Sequence, residues 1–237
     1  MGNNEHDKLP QPSSNAEVAA FLRQVAATPV RSTGERGRLI FAMDATASRE
    51  PTWQSACEIQ GQMFAETTNL GGLDIQLCYY RGLGEFDAGP WLSRSADLLA
   101  RMRSVFCLSG QTQIEQMLRH TAAETKRRKV NALVFVGDCM EEDADRLCQC
   151  AGELGLLAVP VFVFHEGYEL RAERTFRQIA RLTRGAYCRF DGQSPQQLRD
   201  LLSAVAVYAA GGRRALEAFG KNKGGVTLQL TQQLDKG

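Results

Sequence analysis

The sequence predicts an α/β domain: a mostly parallel sheet, helices on both faces and a short antiparallel edge strand. Three observations carry that expectation. From Arg38 onward, short apolar runs alternate with helical stretches, the order that parallel strands joined by crossover helices require. The runs at 132–136 (ALVFV) and 159–164 (VPVFVF) are almost wholly apolar, as strands covered on both faces are, and are expected at the centre of the sheet. The chain has 237 residues, 43% of them hydrophobic, enough to bury a sizeable core without disulfides or metals as staples.

Residues 1–36 read as a polar arm with one short helix at 15–27 (NAEVAAFLRQVAA) and a linker rich in Thr, Pro, Ser and Gly. The domain proper, 37–212, begins with a strand at 39–43. A helix at 51–69 follows, with Pro51 suited to its first turn and Trp53, Cys57 and Phe64 on one face. In the strand at 73–80, Leu73, Ile75, Leu77 and Tyr79 alternate with Asp74, Gln76, Cys78 and Tyr80; this half-polar pattern places it near a sheet edge. The Gly-rich stretch 82–90 holds a turn and the edge strand. Helices at 95–104, 113–127, 143–154, 172–183 and 195–209 and strands at 132–136, 159–164 and 186–190 complete the series. From Arg213 to the end, five basic residues face two acids, which reads as a basic tail over 213–237, either a docking arm or a solvated end.

Composition narrows the function. With 28 Lys+Arg against 27 Asp+Glu the net charge is +1, so a surface built for nucleic acid is not expected. The longest apolar run, 156–164, contains Pro160 and is far short of the ~20 residues that span a bilayer. The start, MGNNEHDK, has no apolar core of a secretory signal, and His6 stands where a myristoylation signal wants Ser or Thr. Seven cysteines, an odd number, fall mostly inside predicted helices and strands, as free thiols in a reducing compartment do. A cytoplasmic setting follows from these features. Cys139, Cys148 and Cys150 lack the paired spacing of a zinc site.

The candidate chemistry sits at strand ends. The first strand ends in Asp44-Ala45-Thr46-Ala47-Ser48, a carboxylate and two hydroxyls at alternate positions. The strand at 132–136 ends in Gly137-Asp138, and Ser109-Gly110-Gln111-Thr112 opens a helix between the two. In an open α/β sheet the carboxyl ends of strands, at the reversal of strand order, form the binding crevice. The donors are all hard oxygens, which suit Mg2+, Mn2+ or Ca2+.

DATAS, the SGQT loop and VGD, in this order and spacing, resemble the metal ion-dependent adhesion site of von Willebrand factor type A (VWA) domains, whose pattern is D-x-S-x-S, then Thr, then Asp. The resemblance covers about 37–212 and implies that family's Rossmann-like fold. It also implies roles: Thr46 and Ser48 would bind the cation through their hydroxyls, Thr112 directly or through water, and Asp44 and Asp138 directly or through bridging waters. Thr46 departs from the usual Ser; its oxygen is equivalent and its methyl restricts the rotamer. With neutral ligands filling much of the shell, an open position favours a carboxylate from elsewhere, in this family an Asp or Glu of a partner protein. The implied function is a metal-bridged protein-interaction module. By analogy with intracellular relatives, the partner belongs to an AAA+ ATPase or a multi-protein assembly.

Competing readings use the same residues. Asp44, Thr46 and Ser48 would also serve as a polar turn with a helix cap. Asp44 followed by Thr46, with Gly137-Asp138 later, loosely resembles a haloacid dehalogenase-type Mg-dependent phosphohydrolase, although that family places an acid where Thr46 stands. A third alternative is a scaffold whose metal serves only the fold. Glu141, Glu142, Asp143 and Asp145 read as acids favoured at a helix start, and Lys126-Arg127-Arg128-Lys129 as cations at a helix end. His165 and Glu166 fall on the same sheet edge as Asp138, where they either rim the site or serve the structure.

Overall fold

The computed structural model describes residues 20–21, 36–67, 72–190 and 195–222. Its strands are β1 (Gly37–Asp44), β2 (Leu73–Arg81), β3 (Glu85–Leu92), β4 (Ala132–Gly137), β5 (Val161–Glu166) and β6 (Ala186–Phe190). The helices are α1 (Glu50–Thr67), α2 (Ser95–Arg103), α3 (Ile114–Arg127), α4 (Ala144–Leu156), α5 (Leu170–Leu182) and α6 (Pro195–Asn222), with a 3-10 turn at Ala47–Arg49. They form one six-stranded sheet in the order β3-β2-β1-β4-β5-β6. All pairings are parallel except the β2–β3 hairpin. The expected α/β architecture with its antiparallel edge is therefore the architecture found.

Strand periodicity sorts the core into two layers. Leu39, Phe41 and Met43 of β1, Val134 and Val136 of β4 and Phe162 and Phe164 of β5 share one layer with residues of α1, α2 and α6. Ile40 and Ala42, Leu133 and Phe135, and Val161 and Val163 face the other, against α3, α4 and α5. The two central strands are β1 and β4, while β5 lies one place in from the edge. The apolar run of β5 thus reports cover from α5 and α6 on its two faces, not a central position. β2, with Gln76 buried and bonded to the Gly89 carbonyl at 2.8 Å, is next to the edge, where its mixed pattern put it.

Boundaries differ from the expected ones by a few residues, except at the last helix. α6 continues to Asn222 through a break at Gly212 (φ 70°), a left-handed conformation that glycine adopts without penalty. Of the cations 126–129 at the end of α3, Lys126 pairs with Glu153 of α4 at 2.6 Å, and Lys129 donates to the Leu157 and Ala158 carbonyls just after α4. Most of the expected arm and helix at 1–35, and the chain beyond 222, lie outside the described residues. No helix among those described is long and apolar enough to cross a membrane.

Ala20 and Phe21 are helical, and Phe21 is fully buried, with its ring edge-on to Phe162 and Phe164 at centroid distances of 6.2 and 5.4 Å. Its residue thus belongs to the core layer of α6. Truncating a buried Phe costs about 3–5 kcal/mol, so Phe21→Ala is expected to lower unfolding stability by that order in urea titration. An unchanged midpoint would show that Phe21 does not hold the sheet.

Candidate metal centre

Strand order reverses between β1 and β4: β2 continues outward on one side and β5 on the other. The two strands run in register, Met43 opposite Val136, so their next residues leave the sheet side by side. Asp44 ends β1 and Asp138 directly follows β4.

Asp44 is buried, and both its oxygens are held. The Thr46 backbone N–H donates to Oδ1 at 2.7 Å, and the Tyr80 hydroxyl donates to Oδ2 at 3.2 Å. Burial raises its pKa to about 6, with the Thr46 hydrogen bonds opposing the rise and the Asp138 charge adding to it. From Asp44 a chain of oxygens runs outward. The Thr46 and Ser48 hydroxyls are 3.4 Å apart, and Ser48 donates to Asp138 Oδ2 at 3.0 Å. Ser48 is exposed, so the cluster opens to solvent at that end.

Asp138 Oδ1 is buried with no hydrogen-bond partner. A buried acceptor left without a donor costs on the order of 1–3 kcal/mol, more when charged, and such an atom is where a cation fits. The donor set of two carboxylates and two hydroxyls is hard and oxygen-only, as Mg2+, Mn2+ and Ca2+ require. Among the described residues no group of three or more His, Cys, Asp and Glu is arranged to hold a metal. All seven cysteines are free, and burial, then the Asp138 charge, push the Cys139 thiol up to about 12.

Thr112 stands on the adjoining loop. The Leu108 N–H donates to the Ala45 carbonyl at 3.0 Å, and the Gln111 N–H to the Gly82 carbonyl at 3.0 Å, which bind this loop to the turn after Asp44 and to the β2–β3 turn. A Cβ at Gly110 would lie 2.0 Å from the Gly82 oxygen, so only glycine permits that approach. The Thr112 hydroxyl donates to Glu142 and accepts from the Glu141 N–H at 3.0 Å. None of its hydrogen bonds joins it to the other four residues. Four of the five expected ligands are thus linked to one another, and the fifth lies beside them with its hydroxyl turned to the loop after β4.

Two neighbours, Arg49 and Thr52, went unforeseen. Arg49, one step past Ser48 and almost fully buried, pairs with Glu166 and comes within 3.7 Å of Asp138 Oδ2. Its available signal was a lone cation following a run of oxygen donors. Thr52 also donates to Glu166. His165 is buried between the Tyr187 hydroxyl (2.8 Å) and the Asp138 backbone oxygen (2.9 Å), and burial lowers its pKa; it serves the structure by holding Asp138. Glu142 does sit at a helix start, but at that of α3, where it accepts from the Ile114 and Glu115 N–H groups. α4 is capped by Asp143, which accepts from Arg146 N–H at 3.0 Å.

No family model matches the chain, and no curated protein matches it. Solved structures do. The VWA domain of SpRpn10 superposes with a TM-score of 0.55 at 13% identity over 70% of this chain and 94% of that one. Proximal thread matrix protein 1 from the mussel byssus, with a zinc-occupied adhesion-site motif, gives 0.57 at 15% identity over 73% of this chain and 46% of that one. The pilus adhesin SpaC from Lactobacillus rhamnosus GG gives 0.57 at 9% over 80% and 31%. The chain thus spans about half of the mussel protein and under a third of the adhesin. Likeness at these identities is likeness of fold, and the fold is that of VWA domains.

The raised Asp44 pKa has a signed consequence. An acid whose folded pKa (about 6) exceeds its ordinary value of 3.8 stabilises the fold below the lower value and loses that contribution as pH rises through the higher one. In EDTA, wild type is therefore expected to lose stability relative to Asp44→Asn between about pH 4 and 6. Asp44→Asn, whose amide keeps an acceptor for the Thr46 N–H, should gain on the order of 1–2 kcal/mol over wild type at pH 8. Urea titrations of the two proteins in EDTA check this; a less stable Asn variant contradicts it.

Proposed function

We propose that this protein is a divalent-cation-dependent protein-binding module, an adaptor or assembly component without enzymatic activity. Asp44, Thr46, Ser48, Thr112 and Asp138 would hold Mg2+, or Mn2+ or Ca2+, and the partner would present an Asp or Glu. The observation that carries this reading is the buried, donor-less Oδ1 of Asp138 at the end of the oxygen chain from Asp44 through Thr46 and Ser48. A bound cation would supply an electrophilic coordination position for the partner's carboxylate.

The chain's own residues prepare that position. Tyr80 and the Thr46 N–H fix the Asp44 carboxylate, His165 fixes the backbone of Asp138, and Arg49 ties the turn after β1 to the end of β5 through Glu166. The mussel protein's zinc-occupied motif supports a divalent ion on this fold, and the adhesin supports a role in binding. A cytoplasmic setting is supported by seven free cysteines. An AAA+ ATPase or another multi-protein assembly is the partner class we favour; nucleic acid and membranes are not part of the reading.

The phosphohydrolase alternative has weaker support. Thr46 has no carboxyl to serve as the proton-transfer group.

Affinity capture from the native lysate with Mg2+ or with EDTA, repeated with Asp44→Ala, tests the proposal. Wild type is expected to retain a partner in Mg2+ alone, with at least tenfold less retained by the variant. Capture indifferent to both EDTA and the substitution would sink the metal-bridged reading. Turnover of p-nitrophenyl phosphate by wild type but not by Asp44→Asn would replace it with the hydrolase.

A further inference from the structure

Among the described residues six large apolar side chains are exposed: Leu83, Phe106, Leu108, Leu156, Tyr168 and Leu170. Single exposed apolar residues are ordinary, but a group gathered at one place marks an interaction surface. Five of the six stand at the carboxyl edge of the sheet, the edge that carries Asp44 and Asp138. Only Leu156, which ends α4 ahead of β5, lies at the opposite edge.

The five fall into two groups on either side of the metal centre, as the strand order dictates. Leu83 is in the turn after β2, and the loop carrying Phe106 and Leu108 is fastened to that turn. The Gly82 N–H donates to the Leu108 carbonyl at 3.5 Å, and Arg81 donates to the Phe106 carbonyl at 2.8 Å with its guanidinium over the Phe106 ring. Leu108 itself bonds to Ala45, the residue between Asp44 and Thr46. On the far side, Tyr168 and Leu170 follow β5. Gly167 brings that loop against the site, since a Cβ there would stand 4.0 Å from the Asp138 Cβ. The order β2-β1-β4-β5 therefore places an apolar shoulder, two carboxylate-bearing strand ends and a second apolar shoulder in a row.

The spacing of that row defines what would lie across it. The ends of β2 and β5 are three strand intervals apart, about 14 Å at roughly 4.8 Å per interval. An extended peptide advances about 3.3 Å per residue, so about four steps, from one residue to the fourth after it, cover the distance. Alternate side chains of an extended segment point the same way. An acid above the centre thus brings the residues two before and two after it down onto the two shoulders.

We infer that the partner segment is an extended peptide of pattern apolar-x-acid-x-apolar, whose flanking side chains cover Leu83, Phe106 and Leu108 on one side and Tyr168 and Leu170 on the other. The inference rests on the metal-bridged reading above and names the partner chemistry that this reading leaves open. The metal centre selects the carboxylate, which every acidic peptide has; the shoulders select its neighbours.

The probes are three acetylated, amidated nonapeptides, titrated by NMR into the full chain with Mg2+ or EDTA: Gly-Ser-Leu-Ser-Asp-Ser-Leu-Ser-Gly, the same peptide with both leucines moved next to the Asp, and the same peptide with both replaced by Ser. The first is expected to bind at least tenfold more tightly than the all-Ser peptide and about fivefold more tightly than the shifted one, in Mg2+ only. Leu83→Ser and Leu170→Ser, exposed positions whose melting temperatures verify folding, should each remove most of that gain while leaving the all-Ser affinity unchanged. Equal binding of all three peptides in Mg2+ overturns the pattern and leaves the metal reading standing. Tight binding of the first that persists in EDTA shows apolar docking without the cation and overturns the inference together with the reading beneath it. Absence of binding by every peptide also overturns both.

Discussion

The parallel pairing of β1 with β4 is the constraint on which the rest of the site depends. These two strands meet where strand order reverses, so the segments leaving their carboxyl ends diverge and a crevice opens between them. In-register pairing from Leu39–Ala132 to Met43–Val136 then decides which residues line it. A slip of one residue would turn Phe41 and Met43 from one core layer to the other, so the packing that holds the sheet together also fixes Asp44 beside Gly137, with Asp138 next along the chain. The site inherits its rigidity from two of the most deeply buried strands in the protein.

Bringing two carboxylates to one crevice has an electrostatic cost, visible in the raised pKa of Asp44, which burial dominates and Asp138 increases. Arg49 answers it only in part. At 3.7 Å from Asp138 Oδ2, a unit charge contributes about 4 kcal/mol at an effective dielectric constant of 20, and burying the guanidinium offsets much of that. The same side chain is engaged with Glu166, which consumes its charge. Asp44, Asp138 and Glu166 against one arginine leave an excess of negative charge, and Oδ1 of Asp138 still lacks a donor. Arg49 therefore acts mainly as a geometric tie across the loops, and a divalent cation is the species that would complete the charge balance.

The alternation of apolar runs made the fold legible from the residues, because a strand buried on both faces has few other sequences open to it. Asp44 and Asp138 were legible for a related reason, since residues at the ends of neighbouring strands share a crevice, and Thr46 and Ser48 followed from their closeness in sequence to Asp44. Thr112 was legible only as a neighbour. Its hydroxyl orientation depends on Glu141 and Glu142, about thirty residues later, and periodicity carries no information about such loop-to-loop hydrogen bonds. Arg49 escaped for the same reason, and the choice between the two roles of His165 was closed to the sequence because its contacts join segments far apart in it. The order of β5 and β6 was hidden because helix cover, not centrality, makes a strand uniformly apolar.

The site divides its tasks between two kinds of structure. The oxygen donors of Asp44 and Asp138 are anchored to strands whose side chains form the core. Leu83, Phe106, Leu108 and Tyr168 stand on turns and loops and Leu170 opens α5, and none of the five side chains belongs to the core. Substitution in the first group disturbs packing, register and charge together, whereas substitution in the second changes only what the surface presents. On the proposed reading, ion binding would be tied to the fold itself, while the choice of partner would rest on exposed residues that can change without unfolding it. A surface of this kind would keep one mode of attachment and vary its specificity around that mode, which is what the proposed binding module needs.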